Sequence, residues 1–169
     1  MSKLRIAVNG FGRIGRLTTR ILANNNDIEV VAINDLTDVK TLAHLFQWDT
    51  AHKQFNGSVS LDGDHMLING QQIKVYSEKD PAQLPWKDLG VDVVLESTGR
   101  FVNEEGASKH LEAGASKVLI SAPAKGGNIP TFVMGVNDAD LNADIKIMSN
   151  ASCTTNCLAP MVKVLDEML

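Results

Sequence analysis

The sequence predicts an α/β fold, a doubly wound and mainly parallel sheet with a small antiparallel insertion, and three observations carry that expectation. Short apolar runs rich in β-branched residues alternate with segments of helical spacing, the pattern of parallel strands joined by right-handed crossovers. Gly10, Gly12 and Gly15 fall where the first apolar run gives way to the first helical segment. Further on, Asp62-Gly63-Asp64 and Asn69-Gly70 are hairpin turns between short runs, which sets the antiparallel piece there and not another strand–helix–strand unit.

Taken in order, Leu4 to Asn9 is long enough for one buried strand. A helix is expected over 13–25, with Ile14, Leu17 and Ile21 as its apolar stripe, and the polar run Asn24 to Asp27 turns the chain. A second strand over 28–34 ends at Asp35, and 38–47 reads as a helix burying Leu42, Leu45 and Phe46. Three short strands follow at 59–61, 66–68 and 73–76, after which Pro81 and Pro85 break the chain. A third buried strand, 91–96, runs into Ser97-Thr98-Gly99, and a helix over 103–113 stops at Gly114. Strands are expected at 117–121, 131–134 and 145–149. Leu158, Met161, Val162 and Leu165 then have helical spacing. Pro160 lacks an N–H and meets the residue four back, Asn156, so a kink is expected. Residues 1–150 form one expected domain, with 151–169 as the start of a next helix.

A chain of 169 residues can bury a real core. Its 16 basic and 20 acidic residues give a net charge of −4, which argues against a nucleic-acid surface. Arg5, Arg13, Arg16 and Arg20 gather near the first turn, where a solvated helix face accounts for them. No charged segment leads into an apolar one at the start, and no apolar run approaches membrane-spanning length, so a cytoplasmic protein is expected. Two cysteines, Cys153 and Cys157, are too few for a disulfide framework or a structural zinc site, and no metal is expected.

Gly10, Gly12 and Gly15 have the G-x-G-x-x-G spacing of a dinucleotide cradle. The first glycine permits the turn, the second a close pyrophosphate, and the third close packing of helix on strand, with free N–H donors at the helix start. Asp35 follows about 20 residues after Gly15, where a carboxylate accepts the ribose hydroxyls and repels a 2′-phosphate, favouring NAD over NADP. A turn cap is its plainer role. Asp35, Thr98, Gly99 and Ser121 all end strands and should share the edge over a cofactor crevice. Lys79 reads from spacing as a loop charge. Cys153 should open the last helix, where unpaired N–H groups stabilise a thiolate and make it nucleophilic, although a small buried residue is the plainer fate of a free cysteine. Cys157, one turn inward, should be buried and inert.

Asn9-Gly-Phe-Gly-Arg-Ile-Gly-Arg16, Ile33-Asn-Asp-Leu36, Ser97-Thr-Gly99 and Ser149-Asn-Ala-Ser-Cys-Thr-Thr-Asn-Cys157 together resemble phosphorylating glyceraldehyde-3-phosphate dehydrogenases along the whole chain. Ile120-Ser-Ala-Pro-Ala-Lys125 resembles the glyceraldehyde enzymes more than the erythrose-4-phosphate ones, and the bacterial type is favoured over the animal type. The resemblance implies a Rossmann-type domain that binds NAD through Gly10, Gly12, Arg13, Ile14, Gly15, Asp35, Thr98, Gly99 and Ser121, with Lys79 near the adenine. It implies Cys153 as nucleophile in a glycolytic oxidation of glyceraldehyde 3-phosphate with inorganic phosphate, Ser152 and Thr154 beside the substrate, and a homotetramer. Family members are about twice as long. Their activating histidine and phosphate-binding arginine lie beyond the nucleophile, and His44, His52, His65 and His110 all precede Cys153. The chain is therefore expected to be the cofactor-binding half of the enzyme, as a truncated polypeptide or proteolytic fragment, inactive alone. The alternatives are a stand-alone NAD-binding module with a redox-sensitive thiol and the corresponding half of an erythrose-4-phosphate dehydrogenase.

Overall fold

Strands and helices alternate along residues 2–169, the residues that the computed structural model describes. In chain order they are β1 (Leu4–Asn9), α1 (Arg13–Leu22), β2 (Ile28–Asn34), α2 (Val39–Gln47), the two-residue ribbon β3 (Trp48–Asp49) and β4 (Lys53–Gln54), β5 (Val59–Asp62), β6 (His65–Ile68), β7 (Gln71–Tyr76), β8 (Val93–Glu96), α3 (Glu104–Glu112), β9 (Lys117–Ile120), β10 (Ile147–Ser149) and α4 (Cys153–Met168). Eight strands form one sheet in the order β10-β9-β8-β1-β2-β7-β6-β5. Counting only its parallel members, β1, β2, β7, β8, β9 and β10, the spatial order is the 3-2-1-4-5-6 of a doubly wound dinucleotide-binding sheet. The strand order reverses at β1, so the crevice lies at its carboxyl end, over the glycines.

The antiparallel insertion is present, but it is not separate from the main sheet. β5 pairs with β6 and β6 with β7 in antiparallel register, while β7 also pairs in parallel with β2 through Ile33↔Val75. The insertion thus supplies the third parallel strand. The expected strand at 131–134 is reduced to a single bridge, Thr131↔Ser149. Asn137 explains the loss: its side-chain oxygen accepts from the Val133 N–H at 2.9 Å and its amide donates to the Thr131 carbonyl at 2.9 Å. The side chain thereby takes backbone groups that a ladder would use.

Helix α1 corrects the apolar reading. It ends at Leu22, three residues short of the expected limit, and buries Gly15 and Thr19 while Ile14 and Ile21 are exposed. A helix start that must approach β1 closely offers small residues to the strand, so the large aliphatic stripe turns outward. Arg16 and Arg20 are not a solvated face either. Arg16 Nη1 donates to the Phe11 carbonyl at 2.9 Å, and Arg20 donates to the Phe46 and Lys53 carbonyls while lying over the Phe46 and Phe55 rings. In α2 the buried residues are Leu42, Ala43 and Phe46, while Leu45, expected in the buried stripe, is exposed, and Asp38 caps the start by accepting from the Thr41 N–H. Asn103 caps α3 in the same manner, and Gly114 leaves it at φ +104°.

Two main apolar clusters lie on opposite faces of the sheet, since adjacent strand residues point to opposite sides. Val8, Ile33, Leu42, Phe46 and Ile73 belong to one; Ala7, Ala32, Trp86, Val91 and Val94 belong to the other. These clusters hold β1, β2 and β8 rigidly side by side. No described helix is long and apolar enough to cross a membrane.

Candidate functional site

At the carboxyl ends of β1, β2 and β8 the chain forms a cleft of about 470 Å³, within the range of small-molecule and cofactor sites. Gly10, Gly12, Asp35, Lys79 and Thr98 line it. Gly10 has φ +91°, and a Cβ there would lie 2.6 Å from the Thr98 nitrogen, so only glycine closes this turn. Gly15 is a packing residue: its Cβ would meet the Gly10 carbonyl at 2.2 Å and the Ser97 Oγ at 3.0 Å. Gly12 has no neighbour within 4 Å of such a Cβ and faces open space.

Two features fit this cleft to a dinucleotide. Gly12 is the N-cap of α1, no side chain caps the helix, and no acidic residue stands in its first turn. The first N–H groups of the helix therefore remain free donors for an anion. Asp35 is the second feature. Its Oδ2 accepts from the Phe11 N–H at 2.7 Å and its Oδ1 from the Thr37 N–H at 2.9 Å. It does cap a turn, and it also ties that turn to the glycine loop. A carboxylate offers about four acceptor sites. Asp35 keeps spare capacity toward the cleft for the hydroxyls of a ribose, and a nearby phosphate would be repelled by its charge.

Lys79 sits on an exposed segment whose backbone is held by Glu78, since Glu78 Oε1 accepts from the Lys79 and Asp80 N–H groups at 2.7 and 3.0 Å. The Lys109 ammonium, 3.1 Å from Asp80, holds the Asp80 carboxyl below its ordinary 3.8. Arg13, Ile14, Gly99 and Ser121 do not line the cleft, although Gly99 turns the chain beside it at φ +73°. Ser121 lies at the end of β9, with its N–H on the Glu96 carbonyl.

The cysteine segment stands at the same edge of the sheet, beyond the cleft, at the end of β10. Cys153 opens α4 after Ser152, whose Oγ accepts from the Thr155 N–H at 3.0 Å and lies 2.9 Å from Thr154 Oγ1. Ala151 is buried at φ +59°, a left-handed conformation that swings the backbone from the strand into the helix. Asn156 donates to the Asn150 and Ser152 carbonyls and ties the helix to this turn. Thr154 lines a second cavity with Val136, Leu158 and Lys163. Cys157 is exposed, against the expectation that it is buried, because α4 buries none of its residues against the described chain. The helix continues through Pro160. His52 and His65 pair with Asp49 and Asp64, and His110 is buried with Glu96; none of these bonds reaches Cys153.

Asn9, Asn34, Leu36, Glu78, Arg100 and Phe101 line the cleft with the expected residues, and Glu96 stands behind it, bonded to Asn9. A signal for the polar ones was available. Asn9, Asn34 and Glu96 are each the last residue of an apolar strand, and each is buried. A polar side chain ending a buried parallel strand points to the edge where ligands sit.

Comparison with known proteins agrees with this geometry. The family described as glyceraldehyde 3-phosphate dehydrogenase, NAD binding domain, matches residues 4–104. The chain is 59% identical to glyceraldehyde-3-phosphate dehydrogenase of Thermotoga maritima over 165 residues, 96% of this chain and 49% of the relative. It is 54% identical to that of Geobacillus stearothermophilus, covering 97% and 49%. It is 52% identical to the chloroplastic A form of Chlamydomonas reinhardtii, covering 98% and 45%. The chain spans about half the length of the curated relatives it matches.

Proposed function

The chain belongs to the glyceraldehyde 3-phosphate dehydrogenase family through its NAD-binding domain, and from that premise we propose that it is the cofactor-holding part of an enzyme oxidising glyceraldehyde 3-phosphate to an acyl phosphate in glycolysis. The observation that carries the reading is one cleft in which an uncapped helix N-terminus and the partly used Asp35 carboxylate both take part. In this reading the Arg13 and Ile14 N–H groups hold the pyrophosphate, Gly12 leaves room for it, and Gly10 and Gly15 fix the turn and the packing behind it. Asp35 accepts the ribose hydroxyls. Lys79 stands at the adenine end, and Thr98, Gly99 and Ser121 border the cofactor. NAD, when bound, supplies the hydride acceptor.

Cys153 is the proposed nucleophile. Its sulfur adds to the aldehyde carbon to give a thiohemiacetal, and oxidation leaves a thioester on the same sulfur. Inorganic phosphate then cleaves the thioester, releasing the acyl phosphate and the thiolate. The N–H groups at the start of α4 are the natural donors for the carbonyl oxygen as it gains charge. Ser152 and Thr154, on either side of Cys153, are the proposed substrate contacts. Because no histidine among the described residues bonds to Cys153, a base from elsewhere must take the proton, and turnover by this chain alone is expected to fall by about a hundred- to ten-thousand-fold. Residues 1–150 are the proposed cofactor domain, 151–169 the entry to a catalytic one, and the working form a cytoplasmic homotetramer.

The test is a titration of the chain with NAD and NADP, repeated on Asp35→Gly. NAD is expected to bind more tightly than NADP, and the variant to narrow the ratio. Absence of saturable NAD binding would sink the cofactor reading, and an unchanged ratio would sink the ribose assignment.

A further inference from the structure

Behind the cleft lies a buried polar cluster to which neither the expected site nor the proposed chemistry gives a role. Glu96, at the end of β8, is 1% exposed, and His110 and Trp86 are fully buried. Glu96 Oε2 is 2.6 Å from Asn9 Nδ2 and 3.0 Å from His110 Nε2. Glu96 Oε1 accepts from the Thr98 N–H at 2.8 Å and from the Thr98 hydroxyl. On its other side His110 Nδ1 is 3.0 Å from the Trp86 indole nitrogen.

The chemistry of the donors fixes the direction of every bond. An indole N–H can only donate, so His110 Nδ1 accepts, and Nε2 carries the ring proton and donates to Glu96. Asn9 Oδ1 accepts from Asn34 Nδ2 at 2.7 Å, which turns the Asn9 amide group toward Glu96 as a donor. Glu96 thus receives four hydrogen bonds and gives none, the role of a carboxylate. Among the described residues no Lys or Arg pairs with it; Asn9, Thr98 and His110 balance its charge with dipoles alone.

These donors belong to the cleft. Asn9 precedes the Gly10 turn, and Thr98 lines the cleft while its hydroxyl accepts from the Arg100 N–H at 3.0 Å. Through Asn9 the order passes to Asn34, whose side chain is bonded both ways to the Glu78 backbone at 2.8 and 2.9 Å, next to Lys79. We infer that Glu96, with its acceptor polarity set by Trp86 and His110, is the positioning residue that fixes the Gly10, Thr98 and Glu78 segments around the cofactor. It acts through these groups and does not itself touch the ligand space. The inference rests on the cofactor reading above and deepens it.

Exchange of hydrogen-bond polarity tests it. Glu96→Gln turns an amide group toward donors, which leaves buried donors unmatched and should weaken NAD binding at least about tenfold. The double variant Glu96→Gln/Asn9→Asp returns the carboxylate to the other side of the same bond. The introduced glutamine then accepts from Thr98 through its oxygen and donates to the introduced aspartate through its amide. That aspartate also accepts from His110 Nε2, which lies 3.4 Å from Asn9 Nδ2 in the parent chain. NAD affinity should recover to within about threefold of the parent chain, because each donor again has an acceptor. Saturable NAD binding by the parent chain establishes the cofactor reading independently. Given that, a single variant that binds like the parent, or a double variant no better than the single, overturns the inference. Nitrogen NMR of His110 in the parent chain needs no variant to fold: a bare Nδ1 and a protonated Nε2 support the assignment, and the opposite tautomer overturns it.

Discussion

Gly12 and Gly15 are three residues apart, yet alanine at each should have opposite consequences. At Gly15 the new methyl would lie 2.2 Å from the Gly10 carbonyl and 3.0 Å from Val8 Cγ1. Val8 lies in β1 and Gly10 directly follows its end, so α1 must move away from the strand. Overpacking of this kind costs about 1–3 kcal/mol, and the backbone neighbour places Gly15→Ala at the upper end. For a domain of this size, 1 kcal/mol shifts the melting temperature by about 2–4 °C, so a fall of roughly 6–12 °C is expected. At Gly12 the methyl meets nothing within 4 Å, and φ of −71° is open to any L-residue. Alanine there should leave stability unchanged or raise it by up to about 1 kcal/mol, through a less flexible unfolded chain. The same methyl enters the space over the helix N-terminus where a pyrophosphate would approach. NAD affinity should fall by about tenfold to a hundredfold, the equivalent of 1–3 kcal/mol of steric conflict. Thermal unfolding and NAD titration of both variants separate the effects. If Gly12→Ala bound NAD like the parent, the open side of Gly12 would not be the pyrophosphate site, whatever its stability.

Three further outcomes follow from the site and the surface. Cys153 should be alkylated faster than Cys157, as peptide mapping by mass can measure; both are exposed, so equal rates would mean that the start of α4 does not activate its thiol. Acid should destabilise the fold below about pH 4. The carboxyls of Asp38, Asp49, Asp64 and Asp80 are held below 3.8 by Thr41, the His52 amide, Lys74 and Lys109 respectively. Their contribution is therefore present above the unfolded value and lost as pH falls through the folded ones. Urea midpoints against pH should show that fall, and Asp80→Asn should make it shallower. Finally, amides of α4 beyond Pro160 should exchange with solvent much faster than those of β1 and β8, because none of its residues is fully buried; equal protection would contradict the exposure of its apolar residues.

The parallel strands were legible because they are apolar runs bounded by turn chemistry, and β2 falls where the pattern puts it, at Ile28–Asn34; the ribbon β3–β4, Trp48-Asp49 against Lys53-Gln54, has no such run and was not anticipated. The cradle was legible for a different reason: its spacing encodes backbone geometry, and Gly10 and Gly15 are the residues whose Cβ atoms find no room. Periodicity failed where contact favours small residues. In α1 it promoted Ile14 and Ile21, while the strand takes Gly15 and Thr19. It failed again at Thr131, because the competition of the Asn137 side chain for backbone bonds has no period. The Glu96 network could not be read from spacing, since its members come from four separate segments and meet only when the strand ends align.

That alignment separates two kinds of order in the chain. The cleft is held by buried strand ends: Asn9, Asn34 and Glu96 would each be costly inside an apolar sheet, and their mutual hydrogen bonds make the arrangement all-or-none. α4 has no such support. Leu158, Met161, Val162, Leu165 and Met168 are exposed along it, Pro160 interrupts its hydrogen bonding, and it is tied down mainly by Ser152, Asn156 and the bonds from Lys163 to the Gly135 and Val136 carbonyls. An isolated helix of 16 residues is marginal in water. Cofactor affinity should therefore be a property of the sheet edge, insensitive to the state of α4. The geometry of Cys153 is set by the turn at Ala151 and by the bonds that Ser152 and Asn156 make around it.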